Sequence, residues 1–200
     1  LSSSSAASDV YKRQTRDHEA ALQLYRRLQS THRARSQAEP LNARHRRGLV
    51  RALLGAGRVL AGLDRWPEAQ AEASAAQAVA AADLAADPSN ADATRQLVNV
   101  EQLLCRATAR ATRALSPACR SALERAESLA AAQAGAHGAA QYNVVYAWHS
   151  LAYALKDTGD WLAAQRAFER ELALAEALTR ANPGDERGPA QATEAHAGLA

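Results

Sequence analysis

The chain has 200 residues, of which 48% are hydrophobic but only 4% aromatic, so its core must be alanine-rich, thin and helical rather than bulky. The formal charge is +3 with two cysteines, and no run of about 20 apolar residues is present, which excludes a transmembrane helix and a disulfide framework.

Residues 1–14 show no apolar periodicity and stand apart from everything that follows. Ser4 to Gln14 resembles a translated transposon-type sequencing adapter, so the stretch is read as a non-native or disordered leader and set aside from fold reasoning. The chain begins without methionine and stops inside a new helical pattern, so we expect a piece, truncated at both ends, of a longer bacterial reading frame.

From Thr15 a helical pattern starts, with Asp17 as N-cap and Ala21, Leu24, Tyr25 and Leu28 as the inward stripe; it ends before Pro40. A second helix covers about Ala43 to Gly62, with Leu49, Leu53, Ala56, Gly57 and Leu60 on one face and glycines for close packing at Gly57 and a stop at Gly62. Asp64 and Pro67 then open a helix from Trp66 to Ala86 that is alanine-rich on every side. Ala91 to Ala114 and, after the Leu115-Ser116-Pro117 turn, a helix to about residue 134 make the next pair. A loop spans Gly135 to Gly138. The helix at Ala139 to Asp157 contains Tyr142-Asn143-Val144-Val145-Tyr146, a run that alone suggests a strand, but its place in the repeat overrides that. Gly159-Asp160-Trp161 leads into the last complete helix, which carries Ala164, Phe168, Leu172, Ala175 and Leu178 inward and ends at Asn182-Pro183.

One frame fits three of these segments. Ala21 to Pro40, Ala69 to Pro88 and Ala164 to Pro183 each span 19 residues, and the proline spacing implies units of about 47 residues, one of which has lost its proline. Fixed-period self-similarity predicts stacked pairs of antiparallel helices over residues 15–200. Cys105 and Cys119 fall in one such pair. If the hairpin turns near Leu115, they stand about 9 Å out of step along the helix axes, too far for a bridge. We therefore expect two free thiols and a reducing, cytoplasmic setting.

With Trp148, Leu151, Gly159, Trp161, Ala164 and Phe168 in the fourth unit, and Leu53, Gly57, Leu60, Trp66 and Ala69 in the second, the chain resembles the tetratricopeptide repeat (TPR) family. The terminal proline falls seven residues late against that family's pattern, as in its long-helix variants. The resemblance implies an all-α, TPR-like α-solenoid wound as a right-handed superhelix. It also implies a non-enzymatic scaffold that binds protein or peptide on its concave face, where the family's groove positions are Arg51, Leu54, Arg58, Tyr146, His149, Tyr153 and Lys156. Guanidinium and phenol groups there suit an extended, acidic segment.

Two other readings stand beside this one. The first is a regulatory or sensor region of a larger bacterial signalling enzyme, a serine/threonine kinase or an ATPase, with its catalytic domain elsewhere. The second is nucleic-acid binding by the basic end, because residues 15–60 carry ten arginines against three acids while the remainder is net acidic; a solvated face explains that bias more simply. The six histidines show no metal-ligand spacing, and no nucleophile elbow or phosphate loop occurs. No cofactor, metal or catalytic residue is assigned.

Overall fold

The computed structural model describes residues 3–40, 42–133 and 138–200, with side chains from Asp17 onward. Among them the backbone forms eight α-helices and no strand: α1 (Ser3–Ala38), α2 (Ala43–Gly62), α3 (Trp66–Ala86), α4 (Ala91–Thr112), α5 (Pro117–Ala132), α6 (Ala139–Thr158), α7 (Trp161–Ala181) and α8 (Arg187–Leu199). The fold is an all-α helical repeat. The Tyr142 to Tyr146 run is helical, as its place in the repeat requires. Residues 135–137 of the expected loop lie outside the described residues. α1 begins at Ser3, so its backbone takes in most of the stretch read as a leader, and Asp17 sits inside the helix instead of capping it.

The repeat is measurable at the helix ends. The N-caps of α2, α4, α6 and α8 are Asn42, Asn90, Gly138 and Glu186, at successive steps of 48 residues. The side chains of Asn42 and Asn90 accept from the amides of Arg44 and Ala93 and so satisfy donors that a helix start leaves open. At the other end, α2, α4 and α6 each stop at a left-handed residue: Asp64 (φ 56), Arg113 (φ 57) and Gly159 (φ 88). After α2, the Arg65 amide donates to Leu60 O at 2.9 Å and the Asp64 amide to Ala61 O at 3.1 Å. After α6, Asp160 donates to Leu155 O at 3.0 Å and Gly159 to Lys156 O at 3.2 Å. Both are the paired bonds of a Schellman stop. Asp64 therefore ends α2, and its carboxylate accepts from the Trp66 indole at 3.0 Å.

The chain packs as two compact units that divide within α3, between Asp83 and Leu84. In the first, α1 and α2 run antiparallel in a strict register. His18, Tyr25 and His32 on α1 stand over Gly62, Gly55 and Gly48 on α2. A Cβ added at Gly48 would lie 2.3 Å from the His32 ring, and one at Gly55 2.3 Å from the Tyr25 ring. The inward face of α1 is thus His18, Leu22, Tyr25, Gln29 and His32, one residue round from the expected stripe. Leu22 is fully buried, whereas Leu24 is 56% exposed and Leu28 37%. On α3, Ala69, Ala73, Ala76 and Ala80 are buried at helical spacing, so the alanines do form a packed face. Gln29 donates to Glu72 of α3 at 2.8 Å, while Arg46 of α2 pairs with the buried Asp83.

In the second unit, Val98, Ala122, Ala126 and Ala147 form a core where α4, α5 and α6 meet. Ala152, Ala164, Ala167 and Phe168 form another between α6 and α7. α8 closes on α7 through Gly188 against Thr179 and Gly198 against the Phe168 ring. Trp161, expected at the buried start of α7, is 64% exposed.

Cys105 and Cys119 are joined in a disulfide, with their Cα atoms 4.7 Å apart. The expectation of free thiols placed the two helices level at the turn. In the structure Arg113 stops α4 in the left-handed region and Ser116 is extended ahead of α5. α5 then packs along α4 with Cys119 against both Cys105 and Ala109, so the two helices are not level at the turn and the thiols meet. With this bridge the cysteines give no support for a reducing compartment. Among the described residues no helix is long and apolar enough to cross a membrane.

Candidate functional site

α2 is packed on most of its circumference. Gly48, Leu49, Val50, Ala52, Leu53, Leu54, Ala56, Gly57 and Leu60 are all buried, and the exposed positions are Arg44, Arg51, Arg58 and Gly62. The three arginines recur every seven residues and Gly62 follows one turn later, because a helix with several buried neighbours keeps one narrow strip in water and whole turns bring the chain back to it. Arg51 and Arg58, two of the expected groove residues, therefore share one open line. Leu54 is 7% exposed and belongs to the packed side.

The α1 rings border that line. Burial holds the His32 imidazole below its ordinary range, and the charges of Arg35, His45 and Arg51 add to this. The Arg58 guanidinium is lowered by partial withdrawal from water beside Tyr25. Among the described residues neither Arg51 nor Arg58 is ion-paired, in contrast to Arg46 with Asp83 and Arg65 with Glu68 and Glu19.

The expected residues of α6 are engaged within their own unit. His149 Nδ1 lies 2.9 Å from Glu171 Oε1, and this carboxylate of α7 is fully buried. The Tyr153 ring meets Phe168 edge-on at 5.1 Å, His149 at 4.8 Å and the Arg106 guanidinium of α4 at 4.8 Å. Burial raises the Tyr153 phenol, with Glu194 of α8 adding to the effect, and burial lowers Arg106. Lys156 Nζ donates to Gly198 O at 3.5 Å. Tyr146 is half-buried, its ring 6.3 Å from that of Tyr142. Nearby, Arg110 pairs with Asp157 at 3.1 Å, and Arg113 donates to Asp157 O at 2.9 Å. The structure thus binds α4, α6, α7 and α8 together through the same side chains that the sequence suggests for a ligand.

Sequence reasoning overlooked three participants. Arg44 was detectable, since it precedes Arg51 by the same seven residues that separate Arg51 from Arg58. Glu171 and Arg106 were not, because their partners His149 and Tyr153 sit on other helices and no local pattern joins them. Among the described residues no group of three His, Cys, Asp or Glu could hold a metal ion. The chain matches no protein-family model and none of the curated proteins compared with it.

Proposed function

We propose that this chain is a binding scaffold that takes an extended, acidic protein segment on the open strip of α2, without catalysis of its own. The observation that carries the reading is the pair Arg51 and Arg58: both exposed on one helix line, both without a carboxylate partner, in a unit where Arg46 and Arg65 have one. A guanidinium binds a carboxylate bidentately, and such a contact at a surface contributes roughly 1 kcal/mol. Kinship with the TPR family fits the helix pairs and the small residues Ala69 and Ala164, both buried, and belongs to this proposal. The helix-repeat architecture would serve equally as the binding region of a larger signalling protein.

Fluorescence anisotropy with a labelled polyglutamate-containing peptide tests the reading. The wild type should bind it, and Arg51→Glu with Arg58→Glu should weaken binding about ten-fold or more while circular dichroism stays unchanged. Equal affinity of the two proteins, or tighter binding of a single-stranded oligonucleotide than of any peptide, would overturn it.

A further inference from the structure

Arg44, Arg51 and Arg58 stand at successive steps of seven residues on α2. All three are exposed, and no carboxylate pairs with any of them among the described residues. Arg65 continues the same series one step past the helix end, and there the guanidinium is already taken, by Glu68 at 2.6 Å and Glu19 at 3.2 Å. A series of four arginines at one spacing, with charge satisfied only where the helix has stopped, leaves three cations along one side of the helix, turning by about 20° per step. Arg58 in addition has lost part of its hydration beside Tyr25 without gaining an anion.

We infer that Arg44, Arg51 and Arg58 act as a rack that reads carboxylates at every third residue of an extended segment lying along the axis of α2. This rests on the acidic-segment reading above and adds the register of the ligand and a third contact. Seven residues of helix rise about 10.5 Å. Three residues of polyproline II make one turn and rise about 9.3 Å, so acids at positions i, i+3 and i+6 stay on one edge and follow the arginine spacing to within about 2.5 Å over two steps, a gap that long arginine side chains take up. In that conformation acids at every second residue repeat at about 6 Å and at every fourth at about 12.5 Å, and both turn away from the edge. Over two steps these patterns miss the far arginine by several ångströms.

A partner helix with acids every seven residues would match the spacing too, but it needs width. A helix is about 10 Å across and docks through an apolar stripe. The open line of α2 is one side chain wide, between buried Val50, Leu54 and Gly57 and the half-buried Tyr25 and His32 rings of α1, and no large apolar residue of α2 is exposed. A single polyproline-II segment fits such a line.

The test uses the full chain and labelled peptides of equal length and equal charge, with glutamates at every second, third or fourth position among serine and threonine spacers. The every-third peptide should bind five-fold or more tightly than the others. Arg44→Gln, which leaves Arg51 and Arg58 intact, should reduce that preference about three-fold or more, with the circular dichroism spectrum unchanged. Equal affinity for the three spacings overturns the rack while leaving general acid binding in place. Preference for another spacing, or for a helical peptide with glutamates every seven residues, overturns it as well, as does an Arg44→Gln variant that binds like the wild type. Failure of every acidic peptide to bind overturns both the rack and the acidic-segment reading.

Discussion

At the scale of single residues, the glycines of α2 decide how closely α1 can approach. Gly55 is as tight as Gly48, since a Cβ there would fall within 2.3 to 2.7 Å of three atoms of the Tyr25 ring. Replacing a mid-helix glycine by alanine ordinarily gains up to about 1 kcal/mol of helix propensity. Here overpacking should cost roughly 1 to 3 kcal/mol and win. Gly55→Ala should therefore lower stability in urea unfolding, and in a Tyr25→Ala background the same change should become stabilising. His32 offers a pH-dependent counterpart. Its folded pKa lies below the ordinary imidazole value of 6.5, mainly through burial, so the unfolded chain binds protons more readily between the two values. Its contribution is present above about pH 6.5 and is lost as pH falls through the lower, folded value. The melting temperature should drop on acidification below pH 6.5, and less in His32→Phe, which keeps a ring over Gly48; identical pH profiles for the two proteins would dismiss the assignment.

At the scale of elements, α1 and α7 show why part of the packing was legible and part was not. Helix pairs could be read because some of their ends carry strong local chemistry, Ser116-Pro117 at the start of α5 and Gly159 at the turn into α7; the caps Asn42 and Asn90 were overlooked. Ala69 and Ala164 were readable as close contacts because a small residue recurs at a fixed distance from a proline. The inward face of α1 was misread since Leu24 and Leu28 look like core, while the real face uses His18, Gln29 and His32. The clue lay on the other helix, in Gly48, Gly55 and Gly62. For the candidate site, the family pattern led to Arg51 and Arg58 but also to His149 and Tyr153, whose partners Glu171 and Arg106 come from distant sequence. On α7 two substitutions separate buried from exposed. Ala164 is 2% exposed, so Ala164→Leu should cost roughly 1 to 3 kcal/mol. Trp161 is 64% exposed, and Trp161→Ala should change stability by no more than about 0.5 kcal/mol. Thermal melts of the two variants check both, and a large loss for Trp161→Ala would mean the ring is covered.

At the scale of the whole molecule, the disulfide sits in only one of the two compact units, since Cys105 and Cys119 both follow Leu84. A loop of this length closed by a bridge is worth about 3 kcal/mol in the chain-entropy account. Reduction, or paired Cys105→Ser and Cys119→Ser substitution, should speed hydrogen exchange in α4, α5 and α6. Exchange in α1 and α2 should stay as it was. Uniform protection loss across all the helices would show that the two units do not open separately.

The helix starts at Asn42, Asn90, Gly138 and Glu186 have a consequence for how such a gene can change length. Recombination between equivalent points in neighbouring repeats removes or duplicates 48 codons, and every remaining first helix still begins at a cap. Asn90 to residue 137 is one such cassette, and both bridged cysteines lie inside it. Losing or copying that cassette at its caps carries the two thiols together, so the array can shrink or grow by a repeat there without leaving a cysteine whose mate has gone.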